Sequence, residues 1–126
     1  MHWFSVGVAA LASISIIVIG LVYLFKPMSM SRTFGLPLPS DEPSISWWLR
    51  LKGTRDIVSG LVVFALLTWG EPRLLGIVLA ILALIPVGDM AVVLSAKGST
   101  RTALGVHGTT AAVMIIGAVP LIIGVA

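Results

Sequence analysis

The chain has 126 residues, of which 58% are hydrophobic and only 10% charged, with a formal net charge of +3. Soluble domains carry about 25% charged residues, so this composition excludes an ordinary water-soluble domain, and the same apolar excess excludes a disordered chain. The absence of cysteine excludes a disulfide framework, a thiolate zinc site, an iron–sulfur cluster and dithiol redox chemistry.

The hydropathy pattern predicts one all-α domain over 1–126, a polytopic membrane protein built as an antiparallel bundle of four transmembrane helices. A spanning helix needs roughly 20 mostly apolar residues to cross about 30 Å of hydrocarbon. The first span, 3–25, carries no charge. It lacks the basic start of a signal peptide and is too long for its apolar core, so it reads as retained. A polar link with four prolines follows over 26–45. It has room for a brief interfacial helix over 29–34 and an extended Leu36-Pro37-Leu38-Pro39 stretch. Phe34 and Leu36 either anchor a plain return segment, which is the favoured expectation, or form a lid over the bundle.

The second span is purely apolar only over 57–70. It reaches spanning length by starting near residue 46, giving 46–70, and this draws in Trp47, Trp48, Arg50, Lys52, Arg55 and Asp56. Glu71-Pro72-Arg73 turns the chain into the third span, 74–96, interrupted only by Asp89. Pro86 precedes Asp89 and is expected to free a carbonyl and kink the helix beside it. Lys97-Gly98-Ser99-Thr100-Arg101 turns into the fourth span, 102–125, interrupted by His107. Gly53, Gly60, Gly117 and Gly124 read as packing positions, because small residues let helices approach closely in lipid.

Seven basic residues lie on or near the first and third connections: Lys26, Arg32, Arg50, Lys52, Arg55, Lys97 and Arg101. Only Arg73 lies on the other side. The positive-inside rule then places these two connections in the cytoplasm and both termini on the non-cytoplasmic face. Trp47 and Trp48 fall in one headgroup belt, Trp3 and Trp69 in the other. The positive charge points to anionic headgroups and not to nucleic acid.

A charge at mid-bilayer costs about 2.5–3.5 kcal/mol on the insertion scale, so such residues face the bundle interior and have partners. Asp89 lies roughly 10 Å and His107 roughly 8 Å from the cytoplasmic end of their spans, at about 1.5 Å per residue. Asp56 falls at a similar depth, and Lys52 can pair with it at i,i+4. Asp89, His107 and Asp56 are therefore the candidate catalytic residues of an acid/base cluster, since burial disfavours a carboxylate's charge and a neighbouring His can exchange its proton. Arg55, Trp47, Trp48 and Arg50 are the candidate ligand-binding residues. The chemistry fits isomerisation or cyclisation of a lipophilic small molecule arriving from the bilayer. Binding without chemistry, and a structural pairing of Asp89 with Arg55 or His107, stay open. No cofactor and no metal are expected: an axial haem pair would need His2, at the far end of the chain. Thr109 and Thr110 are expected to bond back to their own helix.

Three blocks carry a resemblance: Tyr23-Leu24-Phe25-Lys26-Pro27, Arg32-Thr33-Phe34-Gly35-Leu36-Pro37, and Lys52-Gly53-Thr54-Arg55-Asp56-Ile57 with Gly60. With Asp89 and a histidine in the last span, the chain resembles an uncharacterised family of small four-span membrane proteins, carried as a domain of unknown function in bacteria and fungi. It is more distantly similar to the DoxX-like proteins. Natural-product gene clusters hold fungal members, so the resemblance implies a cyclase, an isomerase or an accessory role. Possible partners are therefore the bilayer, a lipophilic ligand, and a homo-oligomer or larger membrane complex. A non-catalytic assembly subunit is the alternative function.

Overall fold

The computed structural model describes residues 2–38 and 42–125, and every regular element among them is helical. Helix α1 spans His2–Phe25, α2 Pro27–Ser31, α3 Pro43–Trp69, α4 Pro72–Leu82, α5 Leu84–Ser95, α6 Thr100–Thr102 and α7 Thr109–Ile123. The stretch Ala103–Gly108 joins α6 to α7 with the wider i→i+5 bonding of a π-helix. Three stretches are long and apolar enough to cross a membrane: His2–Phe25, Pro72–Ser95 and Thr100–Ile123.

Several expected boundaries move. The second long helix starts at Pro43 and not near residue 46, because proline suits the first helical turn, where its missing N–H has no partner to lose. Its first half keeps the charges, so it falls outside the three candidate spans. The interfacial helix covers Pro27–Ser31 and not 29–34, again opened by proline. Leu36, Pro37 and Leu38 lie outside any helix, while Pro39 lies outside the described residues. The third stretch is interrupted at Ala83. Pro86 has no N–H for the Leu82 carbonyl four residues earlier, so the ladder breaks nearly two turns before Asp89 and not beside it.

Helices α1 and α3 run antiparallel at very close range. A Cβ on Gly20 would sit 2.6 Å from the Gly53 carbonyl oxygen, and one on Gly53 would sit 2.6 Å from that of Gly20. The Ser13 hydroxyl donates to the Gly60 carbonyl at 2.8 Å. This is the expected packing role of Gly53 and Gly60, with backbone approach that only small residues allow. Gly117 similarly meets Val8, and Gly76 meets Ala118 and Leu121.

The core gathers where α1, the end of α3, α4 and α7 converge. Val8, Ala9, Val63, Leu75, Leu79, Ala83, Met114, Ala118 and Leu121 are buried together there. Arg73 Nε donates to the Ile122 carbonyl at 3.1 Å and ties the same end. Outward-facing positions remain apolar along every long helix, among them Ile14, Val18, Leu61, Phe64, Ile81 and Ile116. Such a surface suits lipid and not water.

Candidate functional site

Beside this core, and sharing Val8, Val63 and Met114 with it, the helices frame a partly open cavity of about 370 Å³. Its apolar end is formed by Val8, Ala12, Val63, Leu82 and Met114, and its polar end by Tyr23, Lys52, Asp89 and His107. The π stretch positions His107. The Thr109 N–H reaches the Leu104 carbonyl five residues back, and one extra residue is thereby held in the turn. His107 is buried. Such π segments recur at functional sites. Thr109 and Thr110 do bond back to their own helix, to Leu104 at 3.3 Å and to Val106 at 2.7 Å.

His107 Nε2 lies 2.8 Å from the Phe34 carbonyl oxygen. A carbonyl only accepts, so Nε2 carries the hydrogen of this bond. The other nitrogen, Nδ1, is left facing Asp89, 3.9 Å from Oδ2. That separation exceeds a direct hydrogen bond, about 2.7–3.2 Å. The two candidate catalytic groups are thus neighbours just beyond direct hydrogen-bond reach.

Asp56 does not join them. Its Oδ2 accepts from Lys52 Nζ at 2.7 Å, the i,i+4 pair legible in the sequence. It is buried, but it is not among the residues lining the cavity. Lys52 is the group that reaches the cavity, with its ammonium 4.4 Å from the Tyr23 ring centroid and 5.4 Å from that of Phe34. Such cation–π contacts hold an ammonium against apolar walls.

The four expected ligand-binding residues also lie elsewhere. Trp47, Trp48 and Arg55 are exposed on the outside of α3. Arg50 donates to the Leu24 carbonyl and lies 5.4 Å over the Trp47 ring. Spacing places Trp47, Trp48 and Arg55 on the outer faces of the helix that presents Lys52 and Gly53 inward, while Arg50 turns toward the end of α1. Tyr23, Lys52 and Phe34 take their place in the cavity wall. Tyr23 is 1% exposed. A polar-tipped ring two residues before the end of an otherwise apolar span was the available signal.

Phe34 sits inside and not at a plain return segment. Its ring packs on His107 with centroids 4.5 Å apart. Gly35 takes φ +100°, a conformation glycine adopts freely, and its carbonyl accepts from the Ser99 N–H at 2.7 Å. Lys97 adopts the left-handed conformation after α5, while the next residue is glycine. A Cβ at Gly98 would collide with the Gly35 carbonyl oxygen. The glycine at 98 therefore makes room for the segment 32–36, which closes this end of the cavity.

The family model described as a domain of unknown function, DUF4267, matches residues 13–121. The chain belongs to this family. The match covers α1 from Ser13, both short connections and the helices that carry Tyr23, Lys52, Asp89 and His107. No curated protein and no solved structure matches the chain. These comparisons do not carry the likeness to DoxX-like proteins.

Proposed function

We propose that this DUF4267 protein is a four-span integral membrane protein that binds or transforms a lipophilic small molecule in the cavity beneath Phe34. One observation carries the reading: an apolar cavity that ends on Asp89, His107, Lys52 and Tyr23. Ligand pockets are typically apolar with a few convergent polar groups, at about 300–1,000 Å³. Helix α3 completes the four-helix bundle, with Trp47, Trp48, Arg50 and Arg55 in the headgroup layer. The basic connections face the cytoplasm, and both termini face away from it.

In the catalytic form of this reading, His107 Nδ1 and Asp89 exchange a proton with the ligand, as isomerisation or cyclisation requires. Lys52 offers its remaining N–H groups to a polar ligand atom. Asp56 acts through Lys52, holding the ammonium in place. Partially exposed apolar residues rim the cavity, including Leu11, Ile85, Val106 and Val113, which suits entry from the bilayer.

The test is organic extraction and mass spectrometry of the protein purified from its native membranes, beside Ala12→Phe, which fills the cavity from α1. A lipophilic compound enriched with the parent and lost from a folded Ala12→Phe supports the reading. Equal recovery from both overturns it. A second reading, an accessory subunit, draws on the His107–Phe34 bond, which ties a connection to a helix. It expects His107→Ala to lose partner recovery while the extracted compounds stay unchanged.

A further inference from the structure

The gap between His107 and Asp89 defines the head group of the ligand. We infer that the cavity takes a lipophilic alcohol, an aliphatic chain ending in one hydroxyl. This inference rests on the ligand-binding reading above and narrows it.

The argument starts from hydrogen positions. The Phe34 carbonyl fixes one hydrogen on Nε2. Nδ1 and Asp89 Oδ2 then face each other at 3.9 Å without touching. A single oxygen on the cavity side, about 2.8 Å from each, bridges them with an angle of about 90° at that oxygen. We take the pair to hold one proton, so that one side donates and the other accepts. A carboxylic acid opposite a neutral imidazole has this pattern, and so does a carboxylate opposite an imidazolium. The bridging atom must therefore accept from one side and donate to the other. A hydroxyl does both. A ketone only accepts and leaves one buried acceptor unmatched, which is costly. A carboxylate head, like a ketone, only accepts and leaves the pair's own acceptor unmatched.

The rest of the cavity specifies the tail. From His107 to Met114 along the last helix is seven residues, about 10 Å at 1.5 Å rise. Asp89 to Leu82 gives the same length on the facing helix, also about 10 Å. Both directions end on apolar side chains at the core. A hydroxyl at the Asp89–His107 end therefore continues into an alkyl or isoprenyl chain directed toward Val8, Leu82 and Met114.

The test uses four probes of one chain length: 1-decanol, 2-decanone, decanoate and decane. Each is offered at equal membrane concentration to the protein in phosphatidylcholine nanodiscs, and retention is read by native mass spectrometry. The expected result is 1-decanol retained about tenfold more tightly than 2-decanone, the worth of one hydrogen bond left unmade. Asp89→Ala and His107→Ala should each erase that preference while still retaining decane. Ala12→Phe should release every probe. Equal retention of all four by the parent, released by Ala12→Phe, overturns the alcohol assignment and leaves the cavity reading standing. Tighter retention of decanoate or 2-decanone than 1-decanol also overturns it. Retention of none overturns both, provided the parent remains folded by circular dichroism.

Discussion

The two ends of this molecule solve the same packing problem in opposite ways. At the end marked by Trp69 and Arg73, small and aliphatic side chains interlock until Ala9, Leu79 and Ala118 lose all exposure. At the end marked by Phe34 and Ser99, α1 and α3 stay in close contact at Gly20 and Gly53, while polar groups face a hollow on their other side. In lipid, helix association depends on close van der Waals packing and interhelical hydrogen bonds, not on escape from water. The closed end uses this fully. Around the hollow the open end packs less fully, and its connection is tied to the rest by two specific bonds, Ser99 to Gly35 and His107 to Phe34. A hollow kept open beside a tight core is the arrangement expected of a binding site.

Substitutions can break this contrast. The largest effect is expected from Gly53→Leu, because its side chain has no space between α1 and α3. Overpacking of this kind costs about 3 kcal/mol or more. Thermal unfolding in detergent should show the parent transition lowered or lost. Leu79→Ala empties the closed end and should cost about 2–3 kcal/mol by the same measurement.

Changes at the open end sharpen the contrast instead. His107→Ala removes one bond to the Phe34 carbonyl, worth about 1 kcal/mol. Its clearest readout is hydrogen exchange. Amides over 32–36 should exchange faster, while those of α4 keep their protection. Gly98→Ala should free the same amides, since a methyl there displaces the Gly35 carbonyl. If exchange rises throughout the chain in either variant, the open end is not a separable unit. Trp48→Ala, on the outer face of α3, should change stability by under about 0.5 kcal/mol. A larger loss would place that ring in a contact the fold does not describe.

Much of the fold was legible because lipid imposes length and hydropathy on each helix. The packing role of Gly53 and Gly60, the Lys52–Asp56 bond and the closeness of Asp89 to His107 all follow from spacing. What spacing could not supply was direction. Residues 50, 52, 55 and 56 occupy one stretch of α3, yet only Lys52 enters the cavity. Counting depth along the chain grouped Asp56 with Asp89 and His107. Rotation about the helix axis separates it from them. The π stretch was illegible because its cause is tertiary: it turns His107 toward a carbonyl 73 positions away in the chain. The role of Phe34 depends on that same contact. The break at Ala83 was half legible, since Pro86 marks a kink but the missing bond belongs to the carbonyl four residues earlier.

The most direct test of the central claim compares two single cysteines in this cysteine-free chain. Ile19→Cys lies on the cavity wall, and Ala9→Cys lies in the sealed core of the same helix. The measurement is the rate of modification by ethyl methanethiosulfonate in nanodiscs, with and without Ala12→Phe. The account expects rapid modification at 19 that slows when the cavity is filled, and none at 9 until the protein unfolds. Equal rates at the two positions, or a rate at 19 unaffected by Ala12→Phe, would contradict it.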